Sequence, residues 1–411
     1  MWLAGGQVYD VATGAFRSGD LRIEHGRIVE IGQAPHTGAD KVDFHGAYLL
    51  PGFFDCHVHI CVDTYSPDPN NPWATSLPGT IALFAADAAR KLLMSGITTA
   101  REVGGWDYHE IAVREAINSG RIPGPRLYCA GKILTITSST TPYYRGMYDE
   151  CDGPSEVRKA ARRQLSMGAD FIKLLVTGAV TSTKYERADA IQLRPDEISA
   201  AVEIAKDNFT HVAAHAHALE GIRNAIECGC RTVEHGSYGD EAVFRLMAGH
   251  DCWLVPTMCI TTAMFADSQF SARVPPHISA RYREIHKVRV EMLKTAKRCG
   301  AKIAMGTDVG TPGNHAGDNM QELEVMVNEC GFSPQEAVWS ATMEAARMMK
   351  LSGDLGSLEV GKIADVIAVT NDPLEDISVL RRVFFVMKNG QICRNDRGER
   401  QSQSGLQVDT G

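Results

Sequence analysis

Six side chains able to bind a metal or carry a proton stand at or near the ends of short apolar runs. PGFFDCHVH carries His57 and His59, FIKLLV carries Lys173, VAAHAHA carries His215, TVEHG carries His235, and IAMGTD ends at Asp308. Extended backbone points residues i and i+2 the same way, so the His57 and His59 imidazoles can grip one divalent ion. Lys173 is the unexpected member, because an ammonium with a reference pKa near ~10.4 repels a cation. It becomes a ligand if desolvation leaves it neutral and CO2 converts it to a carbamate, whose two oxygens serve two metals. Two such ions, ~3.5–4 Å apart, bring the acidity of a bridging water near neutrality. The implied reaction is attack of a metal-bridging hydroxide on a carbonyl polarised by one metal. Asp308 takes the proton and returns it to the leaving nitrogen. Singly, each residue has a plainer explanation. A histidine after a strand is usually a rim residue, a lysine can snorkel, and an aspartate can cap a helix. Their joint arrival on five strands carries the argument.

Those strands must converge on one rim. Candidate strands fall at Tyr48–Phe54, Ile97–Glu102, Arg126–Gly131, Phe171–Val176, His211–His215, Thr232–His235, Cys252–Pro256 and Lys302–Thr307. Helical stretches such as IALFAADAARKLLMSG, GPSEVRKAARRQLSMG and RPDEISAAVEIAKDN separate them. Ser155 is the expected N-cap of the second, and Pro195 suits the first turn of the third. Gly96, Gly168, Gly229 and Gly300 sit where helix C-caps belong. Eight strands with crossover helices predict an α/β chain, a (β/α)8 TIM barrel whose catalytic groups come from the C-terminal strand ends. A doubly wound open sheet competes, but no Gly-rich phosphate loop follows the first strand. Both ends of the chain instead alternate apolar and polar residues. Turn signals at His25-Gly26, Asp43–Gly46 and Asn389-Gly390 argue for hairpins there. The expected division is a small β-sandwich domain from residues 1–50 plus 355–396, a barrel over 51–354, and a loose tail at 397–411.

Composition sets the outer limits. The 411 residues are 44% hydrophobic, enough for a large core, and the net charge is −8 without a basic block. Nucleic acid is therefore not an expected partner. There is neither a secretory h-region after Met1 nor an apolar run near the ~18 residues that span a bilayer. The eleven scattered cysteines read as reduced core thiols of a cytoplasmic protein. Cys228-Gly229-Cys230 is too closely spaced for a CxxC redox motif.

The segments PGFFDCHVH, GITTAREVGG, GPRLYCAGK, MGADFIKLLVTG, VAAHAHALEGI, TVEHG, MGTD and SATMEAARMMKLSGDLGSLEVGKIADVIAV resemble the amidohydrolase superfamily over nearly the whole chain. The resemblance is to its imidazolonepropionase-like branch, which includes Xaa-Pro dipeptidases. It implies that His57, His59 and Asp308 hold one metal, that carboxylated Lys173 bridges, and that His215 with His235 holds the second. Zn2+ is the usual ion of such enzymes, although N/O sites accept several first-row metals. Homo-oligomers are common among them. The implied substrate is a small molecule or dipeptide, Xaa-Pro-like, or an N-acyl amino acid.

His217 is then a substrate contact or oxyanion donor with a catalytic role. A competing arrangement makes His217 the ligand and Glu220 the proton shuttle of a mononuclear deaminase or cyclic-amide hydrolase. An inactive scaffold would lack ligands, and all six positions are filled. Prolidase-like members carry a Gly-Gly-His turn after the third strand, where this chain reads LTITSSTTPYYRGMYDE. Tyr143, Tyr144 and Arg145 are candidates to replace it or to bind a carboxylate. The loops 61–79, 134–152 and 258–278 are long enough to shape a pocket, with Trp73, Met258 and Phe265 as candidate apolar walls.

Overall fold

Two tight turns organise the ends of the chain. His25-Gly26 and Asn389-Gly390 both take left-handed backbone (φ 49° and 78°, 51° and 73°), the conformation a two-residue hairpin requires. The computed structural model describes the chain apart from residues 39, 63–72, 74–75, 139–140, 142–143, 180–186, 267–275, 312 and 398–411. Its opening strands are β1 (Trp2–Asp10), β2 (Ala15–Glu24), β3 (Arg27–Gly32), β4 (Lys41–Asp43) and β5 (Tyr48–Pro51).

The barrel strands follow as β6 (Phe53–Val58), β7 (Ile97–Glu102), β8 (Arg126–Cys129) with its continuation β9 (Ile133–Thr135), β10 (Tyr148–Glu150) on the outer edge of β9, β11 (Ile172–Leu175), β12 (Val212–Ala216), β13 (Thr232–His235), β14 (Trp253–Val255) and β15 (Lys302–Ile303). The chain then returns through β16 (Val366–Val369), β17 (Phe385–Lys388) and β18 (Gln391–Asn395).

The terminal strands form one sheet in the order β18-β17-β16-β5-β1-β2-β3, with β4 against β1. This small β-sandwich has its own core, including Leu3, Leu21, Ile28, Leu49, Val366, Phe385 and Met387. The barrel runs as parallel pairs from β6 to β8 and from β9 through β11 to β15. The Asp170 N–H donates to the Cys129 carbonyl (2.7 Å) and joins the two runs, while the Cys56 N–H donates to the Met305 carbonyl (2.9 Å) and closes the ring. Helices such as Leu219–Cys228 cover it outside, burying Ile222, Ala225 and Ile226 at helical spacing.

Three expectations need correction. Tyr48–Phe54 is two strands, since Tyr48–Pro51 belongs to the terminal sheet and only Phe53 onward enters the barrel. The break falls at Gly52, where a Cβ would lie 2.3 Å from Thr98 Oγ1. The third strand bends at Gly131 rather than running straight to it. Gly153, not Ser155, caps helix Pro154–Ser166, because Pro154 already fits the first helical position. Pro195 does open its helix, and the four expected C-cap glycines all have positive φ. The expected tail begins with Arg397, which donates to the Phe44 carbonyl (2.8 Å), and its remainder lies outside the described residues. All eleven cysteines are free, and among the described residues no helix is long and apolar enough to cross a membrane.

Candidate metal centre

Asp55 anchors the first half of the site. Its Oδ1 accepts the backbone N–H groups of His57 and Thr307 (both 3.1 Å), and its Oδ2 accepts from Thr307 Oγ1 (2.6 Å) and Asn319 Nδ2 (2.7 Å). The end of β6 is thereby locked to the turn after β15. Asp308 follows Thr307 with φ 61°, and its N–H donates to the His57 carbonyl (2.7 Å). Its Oδ1 comes within 3.3 Å of His57 Nε2 and 3.4 Å of His59 Nε2. The other ring nitrogens are already committed: His57 Nδ1 to Glu234 Oε2 at 2.7 Å, His59 Nδ1 to the Gly104 carbonyl at 2.9 Å.

The second half is built on β12 and β13. His235 closes β13 with φ 69°, which swings its ring over the rim. The His235 centroid lies 4.6 Å from that of His215, 4.9 Å from His217 and 5.1 Å from His57. His235 Nδ1 pairs with Thr257 Oγ1 (2.7 Å), and His217 Nδ1 with Ser237 Oγ (2.8 Å). Lys173 lies in β11 beside β12, with Leu175 in register with His215. It is 1% exposed.

The electrostatics suit a cation. Burial depresses the His59, His215, His217 and His235 imidazoles, His217 to about 3, so they stay in the neutral form that ligates metal. Burial alone would raise the Asp308 carboxyl, but His57, His59 and Lys173 hold it well below the usual carboxylate range. Glu234 is held low against burial by Arg101, His57 and Lys173. Burial pushes the Lys173 amine down to about 8, although Glu234 and Asp308 pull it back.

Two donor groups result, His57/His59/Asp308 and His215/His217/His235, the donor atoms of each lying within 4.8 Å of one another. His57 Nε2 and Asp308 Oδ1 are buried without a hydrogen-bond partner among the described residues. Leaving such atoms unpaired is costly, and an ion between the imidazoles and the carboxylate removes that cost. The residues fit a divalent metal.

The remaining sequence candidates are less central. Tyr143 lies outside the described residues. Tyr144 is half-buried with its ring 5.3 Å from that of Tyr148, and Arg145 is exposed, its carbonyl accepting from Lys132 Nζ (3.1 Å). Glu220, the shuttle of the competing deaminase arrangement, is exposed in the first turn of helix Leu219–Cys228. Trp73 is buried and donates to the Cys61 carbonyl (2.7 Å), Met258 is fully buried, and Phe265 lies under Arg283 (4.8 Å).

Sequence reasoning missed the residues behind the candidate ligands. Arg101 and Glu234 are fully buried charges inside the barrel, joined at 2.7 Å, and Glu102 Oε1 sits 3.7 Å from His59 Nδ1. A signal existed for Glu234: in β13 it shares strand parity with Thr232, not with His235.

Residues 48–393 match the amidohydrolase family, and the chain belongs to it. It is 32% identical over 375 residues to ochratoxinase of Aspergillus niger, covering 84% of this chain and 75% of that protein. Among solved structures, a Xaa-Pro dipeptidase with methionine bound in its active site superposes with TM-score 0.86 at 32% identity, covering 96% of this chain and 99% of that one. A prolidase complexed with N-methylphosphonate-L-proline gives TM-score 0.85 at 29% identity with the same coverage. The architecture is thus the amidohydrolase barrel and sandwich, and the chain is a hydrolase acting on C–N bonds.

Proposed function

We propose that the protein is a binuclear amidohydrolase that cleaves the amide bond of a dipeptide, Xaa-Pro-like, or of an N-acyl amino acid. One observation carries the two-ion reading. Lys173 is 1% exposed inside the barrel, on β11 beside the β12 strand that carries His215, and the histidine and aspartate donors gather into two groups, His57/His59/Asp308 and His215/His217/His235. A carbamate on this nitrogen would serve both. His57, His59 and Asp308 would hold one ion and His215 with His235 the other, with zinc suited to such donors. When bound, the pair supplies Lewis acidity toward the scissile carbonyl and brings water's acidity toward neutrality.

The chain's own residues then handle the proton and the orientation. Asp308, ionised by its surroundings, receives a proton from water and returns it to the departing nitrogen. His217 faces the substrate beside this centre, its Nδ1 tied to Ser237. The dipeptide class is supported by the solved relatives described as a Xaa-Pro dipeptidase and a prolidase.

A second reading rests on the proximity of His217 to His215 and His235, since three histidines can hold an ion without a carbamate. The deciding experiment combines metal analysis with turnover on Xaa-Pro and other dipeptides and N-acyl amino acids. Two ions per chain, falling in Lys173→Ala, together with a 13C carbamate signal after 13C-bicarbonate exchange, support the binuclear enzyme. Lys173→Ala retaining every ion supports the three-histidine site. No turnover of any member of the panel would remove the substrate proposal.

A further inference from the structure

The loop Pro256-Thr257-Met258-Cys259 after β14 is gripped from both sides by buried charges. Arg289, from helix Pro276–Arg298 and 2% exposed, donates through Nη2 to the carbonyls of Pro256 and Thr257 (the latter 2.8 Å) and to Thr257 Oγ1 (2.9 Å). Glu322, from helix Gln321–Asn328 and fully buried, accepts the N–H groups of Met258 (2.8 Å) and Cys259 (2.7 Å). Between them Thr257 is held at φ 52°, a left-handed conformation that a β-branched residue adopts only when its surroundings impose it. The outcome is a hydroxyl fixed 2.7 Å from His235 Nδ1.

We propose that Thr257 is a positioning residue for the second metal ion. It accepts the His235 Nδ1 proton, and Arg289 and Glu322 hold it in place to do so. The inference rests on the two-ion reading above. A hydroxyl has two lone pairs. One takes the Arg289 proton, and the other takes the proton of His235 Nδ1. His235 is thereby kept in one tautomer and one ring orientation, with Nε2 left as the ligating nitrogen. Such partners behind a ligand commonly set metal affinity and ligand basicity.

The two halves of the centre differ in this respect. His57 is backed by the Glu234 carboxylate, which strengthens it as a ligand, whereas His235 is backed by a hydroxyl whose electron density is drawn toward a guanidinium. The ion held by His215 and His235 is therefore the more weakly bound.

The test uses the full chain, stripped with a chelator and titrated with Co2+ in bicarbonate buffer. Metal equivalents and the Co2+ absorption spectrum are followed alongside thermal melting. Thr257→Val is nearly isosteric and retains the β-branch, so it removes the hydroxyl alone. Thr257→Ala does the same with less strain if the valine variant does not fold. The wild type is expected to bind two equivalents of unequal affinity. In either variant the weaker affinity falls at least ~10-fold and its spectrum changes, while the tighter is unmoved. Thr257→Ser behaves as the wild type. Two equivalents that are insensitive to loss of the hydroxyl in a folded variant overturn the inference. So does equal weakening of both sites, which marks a merely structural role. A single equivalent in the wild type overturns the two-ion reading itself.

Discussion

Glu234 Oε2 lies 2.7 Å from His57 Nδ1, in a pair almost completely closed to solvent. Its other oxygen takes the Arg101 guanidinium at 2.7 Å, so one carboxylate serves a structural cation and a proposed metal ligand at once. Glu234→Gln keeps the shape and removes the charge. Metal affinity is expected to fall ~10–100-fold, because His57 loses the anionic partner that strengthens it as a ligand. Folding stability should fall by roughly 3–5 kcal/mol as Arg101 is left buried without its counter-charge. Chelator competition and urea unfolding of the metal-free chain measure the two losses separately. Unchanged affinity in Glu234→Gln would show that the carboxylate serves Arg101 alone.

Lys173→Ala removes the nitrogen on which the bridging carbamate is proposed to form. Turnover is expected to drop by about 10²–10³, the size seen when one preorganised electrostatic group is deleted. Added acetate or formate should restore part of it, since a small carboxylate can present two oxygens in the vacated space. Rates measured across a series of carboxylic acids check this. Rescue by none of them, with activity already high in the variant, would remove Lys173 from the site.

The barrel was legible in the sequence because each strand is short, apolar and separated from the next by a helical pattern. His57 and His59 were legible because strand alternation places both on one side of β6. His235 and Asp308 reach the site by a different route. Each follows an inward-facing residue, Glu234 or Thr307, and turns back over the rim with φ 69° or 61°. A rule of alternation alone would put them on the wrong face, and positive φ at a residue other than glycine leaves no mark in the sequence. Arg101 and Glu234 were overlooked for a related reason. Charged residues in a strand usually signal solvent, and only the closed barrel shows that these two satisfy each other within it.

Glu110 in helix His109–Asn118 predicts a pH effect away from the ligands. Burial, and then the neighbouring Glu102, push its carboxyl to about 8, against backbone donors and Arg114. From the ordinary 4.5 up to about 8 the folded chain keeps a proton that the unfolded chain has released. Its stabilising contribution is complete below 4.5 and disappears as pH rises through 8, with a slope of at most ~1.4 kcal/mol per pH unit. His211 acts on the acid side. Burial lowers it from 6.5 to about 3, so stability falls as pH drops through that interval. Metal-free Glu110→Gln, which mimics the protonated acid, should gain stability relative to the wild type as pH rises toward and through 8. Melting curves in matched buffers reveal it, and parallel wild-type and variant profiles would contradict it.

His217 stacks on His235 with ring centroids 4.9 Å apart and planes within 19°, and it meets His215 edge-on at 4.6 Å. With Nδ1 engaged by Ser237, its Nε2 is the nitrogen left for another partner. If that partner is the substrate, His217→Asn should retain both metal equivalents while kcat/KM falls about 10²–10³-fold, the cost of losing one donor to a developing charge. If it is a metal, one equivalent should be lost in step with activity. Ser237→Ala separates the cases further. A histidine that binds substrate needs Ser237 to hold its ring and should show a raised KM without loss of metal. A histidine already fixed by coordination would depend on it little. Metal content read beside kcat and KM therefore decides whether His217 belongs to the ion or to the molecule being cleaved.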